Sequence, residues 1–446
     1  MKITAFLLTV VCMLFVVAFN VDAERDLADI TGLAAKDDGR GEMQVGVIVA
    51  SDQNNTLCPL LQKTLDQAIA GVCASESCKK CRIKPMLRCV QPELQTVLNE
   101  AKALTEKNGV TLLIGPFNPT LAQSFADYAE SASVPVFLTD NTGFSVKTLP
   151  GHWVFSLAFD PVHEFKAFLK TMGPNLERVL VLLEDTPEAR EAEVFLRGYA
   201  TETGLKNLFF FFEPAAGQSG LNVNDTSHDK DAVVKIPSVY KAIRGFEART
   251  AQQHGNLQKT AVVSFLPSRV LFAAIPEDAN IRSILFMPSS QLDSGLLDRY
   301  GGRFRLMASL PPVAVAANLP QEHPCAMAVM KFSLAMEDDT AEHDLMQLSY
   351  SAVLWDAVRL VGEALHQECS LPSNKWGTDK ERNWFFEAIE GLQQTLTGVS
   401  GRFGFRKGAH KKSVVETNVL AEWKENAWCP VTVTAGAEGL IMPSLP

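Results

Sequence analysis

The chain has 446 residues, 47% hydrophobic and 21% charged, with 28 Gly and 23 Pro. That balance suits a folded chain of roughly two to three domains and excludes a collagen-like, disordered or multi-span membrane protein. A formal net charge of −10, with no long Lys/Arg run, argues against nucleic acid or an anionic membrane surface as the partner.

Residues 1–23 begin with one basic residue, Lys2, continue as a nearly unbroken apolar run over 3–19, and end in Val21-Asp22-Ala23, small at the positions a signal peptidase reads. This is the layout of an export signal cleaved after Ala23. The alternative is a retained N-terminal anchor, since 3–19 is at the short limit for spanning a bilayer. Cys12 does not read as a lipid-attachment site, because Val10 and Val11 before it are not small. The mature chain is expected in the periplasm or outside the cell. It would keep eight of the nine cysteines, an even number in an oxidising compartment.

After a polar leader over 24–41, short apolar runs alternate with helical periodicity. Strands are predicted at 43–50 (MQVGVIVA), 84–90, 110–114 (VTLLI), 134–138 (VPVFL) and 153–159, with helices at 59–70, 93–106 and 121–131 between them. The alternation then restarts: helices at 161–172, 188–203 and 239–253, and strands at 179–183 (VLVLL), 208–212 (LFFFF), 261–265 (AVVSF), 281–287 and 304–310. Residues 215–231 read as a polar surface insertion. The last third carries helices at 322–336, 344–366 and 384–396, then a turn-rich β segment at 398–405 and 414–423. Strands separated by helices of this length imply βαβ units and parallel sheets covered on both faces.

Motifs for chemistry are absent. There is no Gly-x-Gly-x-x-Gly after a strand, no phosphate-loop Gly-Lys-Ser/Thr, no His-Glu-x-x-His and no Gly-x-Ser-x-Gly. No enzyme, metal or cofactor is expected. The cysteines Cys73, Cys78, Cys81 and Cys89 have spacings that partly fit an iron–sulfur or metal knuckle. A strand rising ~3.3 Å per residue through 84–90 carries Cys89 too far from Cys78 and Cys81 for one metal to join them. Cys58 opens the first helix and Cys89 closes the second strand, both at the carboxyl edge of the sheet, so a Cys58–Cys89 disulfide is expected. Cys73 would pair with Cys78 or Cys81. The remaining cysteine would pair with Cys325, Cys369 or Cys429, or stay free.

Gly109-Val110-Thr111-Leu112-Leu113-Ile114-Gly115-Pro116, the helix at 121–131 and Ser133-Val134-Pro135-Val136-Phe137-Leu138-Thr139 form a consecutive signature. It resembles the first lobe of type I periplasmic solute-binding proteins, the leucine/isoleucine/valine-binding-protein-like extracellular ligand-binding receptors. Gly398-Val399-Ser400-Gly401-Arg402-Phe403-Gly404-Phe405 resembles the family's third crossing between lobes, and the resemblance spans about 43–428. It implies an α/β fold of two doubly wound parallel-sheet lobes joined by three hinge crossings: 24–158 with 311–398, and 159–310 with 399–446.

The resemblance further implies a small polar ligand, an amino acid or related amide or carboxylate, closed between the lobes without chemistry. The partner would be an ABC-type permease in the inner membrane, or a membrane sensor in a second reading, and the chain a monomer. A third reading is a periplasmic disulfide or metal protein built on the Cys58–Cys89 region. Ligand loops are expected beyond the carboxyl ends of the strands, at 51–56, 116–120, 139–143, 185–188, 266–268 and 288–291. In the first lobe the family's carboxylate-binding serine falls on Pro119, with Asn118 and Thr120 beside it, and its threonine falls on Thr142, after Asp140 and Asn141. In the second lobe Glu188 falls at one aromatic position and Pro267 or Ser268 at another, and Ser289 or Ser290 at the position of the acid that takes the ligand's ammonium group.

Overall fold

The computed structural model describes residues 41–441 except 52–55, 75–80, 141–152, 159–160, 206, 215–237, 255–256, 294–296, 298, 337–343, 368–376, 393–394, 406–417, 426, 432–433 and 437–438. The expected signal segment lies outside the described residues.

Strands β1 (Gly41–Ala50), β2 (Cys81–Val90), β3 (Leu112–Gly115), β4 (Val136–Leu138) and β5 (Val154–Ser156) form one sheet in the order β2-β1-β3-β4-β5. The β1–β3, β3–β4 and β4–β5 ladders are parallel. Helices α1 (Leu57–Cys73), α2 (Leu94–Lys102) and α3 (Ala122–Ser131) connect the first four strands. Side chains alternate across a strand, and here both sides are apolar. Val45, Val47, Val49, Leu112, Ile114 and Phe137 enter one core, and Ile48, Ala50, Leu113, Val136 and Leu138 the opposite one.

The second sheet runs β14-β13-β10-β9-β8-β6-β7. Its parallel part is β6 (Arg178–Asp185), β7 (Asn207–Pro214), β8 (Thr260–Ser264), β9 (Ile284–Pro288) and β10 (Leu306–Leu310). Helices α4 (Pro161–Met172), α5 (Pro187–Glu202), α6 (Ser238–His254) and α7 (Ser268–Ala274) accompany it. Leu180, Leu182, Val262, Leu285 and Met287 pack on one face, and Val179, Val181, Leu183, Val263 and Phe286 on the other. At one edge of this parallel-dominated sheet β13 (Val419–Lys424) and β14 (Ala427–Pro430) join antiparallel through β10.

After β10 the chain returns to the first sheet through a tight helical turn at Pro312–Asn318. Val313 belongs to the core of the first sheet and Val315 to that of the second. Helices α8 (Ala326–Ala335), α9 (Leu345–Gln367) and α10 (Asp379–Glu390) then cover the first sheet. Arg382 of α10 donates to the Val110 and Thr105 carbonyls and ties that helix to the entrance of β3.

The segment around the short ladder β11 (Leu396–Thr397) and β12 (Arg402–Phe403) sits elsewhere than expected. Its residues 399–405 were assigned to the second lobe, yet Val399, Phe403 and Phe405 pack in the core of the first sheet. The cause is Asp356 of α9, fully buried. It accepts the Val399 and Ser400 amides at 2.9 and 2.7 Å and the Ser400 hydroxyl at 2.8 Å. A side chain at Gly398 would collide with that carboxyl group, so the glycine permits the approach.

Cys58 at the start of α1 is disulfide-bonded to Cys89 at the end of β2, Cα to Cα 6.2 Å, as the edge assignment expects. Cys73 lies exposed at the end of α1, Cys325 is buried before α8, and Cys429 in β14 is free. Cys78, Cys369 and the Cys81 side chain lie outside the described residues. The bridge closes a loop of 31 residues. Replacing both cysteines by alanine is expected to lower the unfolding free energy by about 3–4 kcal/mol, read from urea unfolding of the oxidised protein. A double variant as stable as the parent would show that this bridge does not form in solution.

Candidate functional site

Because both faces of each parallel sheet are apolar and covered, exposed polar backbone and functional side chains collect at the strand ends. The carboxyl ends face the loops that a ligand can reach.

At the first sheet, β1 ends at Ala50, whose amide donates to Pro116 O at 2.9 Å, while the Ser51 amide donates to Val90 O at 3.0 Å. β3 ends at Gly115, with φ of 144° and the Ile48 carbonyl where a side chain would stand, so only glycine fits. Phe117 follows with φ of 54°, buried, its amide donating to Thr139 Oγ1 at 2.9 Å. Asn118 and Thr120, both expected ligand residues, engage each other. Asn118 Oδ1 accepts the Thr120 amide at 3.0 Å and its hydroxyl at 2.7 Å, and Asn118 Nδ2 reaches the Ala50 carbonyl at 3.4 Å. This is the side-chain-to-backbone turn that Asn-Pro sequences favour. Pro119 has no amide hydrogen to offer.

Asp140 follows β4. The Tyr350 hydroxyl of α9 hydrogen-bonds its carboxyl group, and its Oδ2 is buried without a hydrogen-bond partner. Burial pushes the Asp140 carboxyl up to about 7, and the Tyr350 hydrogen bond pulls in the other direction. Burial, then the neighbouring Asp140 charge, holds the Tyr350 hydroxyl well above the usual phenol range. The Tyr350 ring meets Phe117 edge to face, centroids 5.5 Å apart. The expected Asn141 and Thr142 lie outside the described residues.

At the second sheet Glu188, Ser268 and Ser290 follow β6, β8 and β9, three neighbouring strands. Glu188 is exposed in the first turn of α5, behind Thr186, whose side chain caps the Ala189 amide at 3.2 Å. Ser268 is buried at the start of α7, and Ser290 is exposed in the turn after β9. The sequence offers no acid at 289–290, but the fold supplies one from α4. Glu164, 2% exposed, accepts the Ser289 amide at 3.0 Å and the Ser289 hydroxyl at 2.5 Å.

Tyr350 and Glu164 are thus edge residues that sequence reasoning missed, while Phe117 and Thr139 lie within the expected loops 116–120 and 139–143. Tyr350 sits on the apolar face of a long helix and Glu164 beside Phe165 in an amphipathic one, so each reads as part of a core-facing stripe. One signal was readable: both place a polar group within an otherwise apolar helix face.

The Asp140 shift fixes a pH dependence for the free protein. An unfolded aspartate loses its proton near pH 4, whereas the folded one keeps it to about 7. Between those values unfolding releases a proton, so this group's contribution lowers stability as pH rises. Asp140→Asn, which stays neutral, is expected to match the parent near pH 4 and to exceed it by roughly 1–4 kcal/mol at pH 8. Unfolding of the ligand-free proteins across that range checks it, and parallel pH profiles would refute it.

No family profile and no curated protein matches the sequence. Solved structures do. An ABC transporter substrate-binding protein from Desulfitobacterium hafniense, in complex with Leu, superposes with a TM-score of 0.62 at 15% identity, over 87% of this chain and 100% of that one. An extracellular ligand-binding receptor from Rhodopseudomonas palustris HaA2 gives 0.61 at 12% identity, over 88% and 100%. A periplasmic binding protein type 1 from Bordetella pertussis Tohama I gives 0.61 at 14%, over 87% and 100%. The two parallel-dominated sheets, the return through Pro312–Asn318 and these superpositions together give the chain the two-lobe type I periplasmic-binding-protein fold.

Proposed function

We propose that the chain is an exported solute-binding protein that closes two lobes on a small polar ligand and delivers it to an ABC-type permease. The observation that carries this reading is the shared two-lobe fold, with a buried carboxylate oxygen of Asp140 left without a hydrogen bond after parallel strand β4. Binding is the whole task, and the ligand leaves unchanged. Hinge closure supplies the signal, because the ligand favours the closed form by its differential affinity for it.

In this reading the first lobe comprises 24–158 and the segment from 311 through the Asp356-anchored turn at 399–405. The second comprises 159–310 and the closing strands from β13 onward. Residues 1–23 are removed on export, and the mature protein works as a monomer beside the inner membrane.

The test is a thermal-shift screen of the mature protein against free amino acids, short amides, carboxylates, amines and sugars. A ligand at 100 times its dissociation constant stabilises by about 2.7 kcal/mol. A clear rise in Tm with one chemical class is the expected result. No rise with any class would remove the solute-binding reading.

A further inference from the structure

Five hydrogen-bond donors at the carboxyl edge of the first sheet are already committed. The Ala50 amide goes to Pro116 O, the Ser51 amide to Val90 O and the Phe117 amide to Thr139 Oγ1. The Thr120 amide and hydroxyl both go to Asn118 Oδ1. Position 119, where the resemblance looks for a serine to hold a ligand carboxylate, is a proline with neither hydroxyl nor amide hydrogen. A buried side-chain oxygen left without a partner at this edge is Asp140 Oδ2.

Three other buried acids show how this chain treats a carboxyl group with a structural duty. A fourth, Glu381 of α10, likewise has one buried oxygen, Oε2, that makes no hydrogen bond, but on the helix that Arg382 ties to the opposite, entrance end of β3. Asp356 receives two amides and a hydroxyl. Glu247 receives the Arg282 and Ser283 amides and the Ser283 hydroxyl at 2.8–2.9 Å. Glu164 receives the Ser289 amide and hydroxyl, one on each oxygen. Each holds a loop or strand end in place. Asp140 holds none among the described residues: its described partner is the Tyr350 hydroxyl, and its second oxygen is left buried and bare. A buried acceptor with no donor is costly, and the cost is recovered when a donor arrives.

Taking the chain as a solute-binding protein, we propose that its first lobe receives a positively charged, hydrogen-bond-donating end of the ligand, an ammonium or amidinium group, on Asp140 Oδ2. The polarity is the reverse of the one the resemblance implies for this lobe. An α-carboxylate placed here would meet a carboxylate of like charge and would find these five donors already used. A cation meets a buried acceptor bonded to Tyr350, whose ring packs edge to face on Phe117.

The group also makes binding depend on pH. Among the described residues the titratable groups at this place are Asp140 itself, Tyr350 bonded to it from α9, and Asp344 at the start of that helix, whose charge acts on Tyr350. In the free protein the Asp140 proton leaves at about pH 7. A cation binds the ionised form, so its affinity rises with pH through that value and its binding releases a proton. A ligand that offers an acceptor would bind the protonated form and show the opposite slope.

Calorimetric titration of the mature protein with three probe sets decides the matter: putrescine and agmatine, succinate and glutarate, and leucine and leucinamide. Probes with an accessible cation are expected to bind, tighter at pH 8 than at pH 5.5. Asp140→Asn is expected to weaken them by at least about tenfold and to flatten the pH slope, with its circular dichroism unchanged. Tyr350→Phe keeps the ring and removes a hydrogen bond that favours the ionised carboxyl, so it is expected to move the pH midpoint upward. Binding of the dicarboxylates to wild type and to Asp140→Asn alike, or cation binding unaffected by Asp140→Asn, overturns the assignment of Asp140 and leaves the solute-binding reading standing. Silence from all three sets, with no rise in Tm in the wider screen, removes both.

Discussion

Burial of both faces of a parallel sheet is the constraint on which the rest of this molecule depends. In the first sheet Val45, Val47 and Val49 enter one core while Ile48 and Ala50 enter the other, and the second sheet repeats the arrangement through Val179–Leu183. Strands of this kind leave no face on which to display chemistry. Polar side chains are therefore driven to the strand ends and the helix starts, which is where Thr139, Asp140, Thr186, Ser268 and Ser289 are found.

Placing polar groups at a buried edge creates a second requirement, that each be satisfied. The chain meets it mostly with carboxylates that gather backbone amides. Asp356 binds the turn at 399–400, Glu247 the start of β9, and Glu164 its end. These bonds join parts of the chain far apart in sequence, and Arg382 does the same from the opposite charge by taking the Val110 and Thr105 carbonyls. Asp140 at the end of β4 and Glu381 of α10 depart from this pattern, each with one buried carboxyl oxygen that makes no hydrogen bond.

Much of the scaffold was legible because buried parallel strands are short, uninterrupted apolar runs bounded by turns, as at 112–115 and 260–264. The Cys58–Cys89 bridge was legible too, since alternation of helix and strand places both residues at one edge. The third return between lobes was not. Gly398-Val399-Ser400-Gly401 was recognisable as a motif, but its place is fixed by Asp356, some forty residues earlier on a helix that reads as plain core. The antiparallel strand pair at the edge of the second sheet was likewise hidden, because direction in a sheet is set by connection length rather than by the strand's own residues.

The same reason limits how a ligand edge can be read from loops alone. Asn118 and Thr120 have the side chains of ligand residues, yet they spend them on each other, because a short polar side chain beside a turn finds its own backbone first. Tyr350 and Glu164 come from helices of cover, and they reach the edge because those helices begin where the strands end. What a strand end offers a ligand is therefore the remainder after local turns and covering helices have taken their share. At the end of β4 that remainder includes one buried carboxyl oxygen, Asp140 Oδ2, and an acceptor left over in this way favours the arrival of a donor.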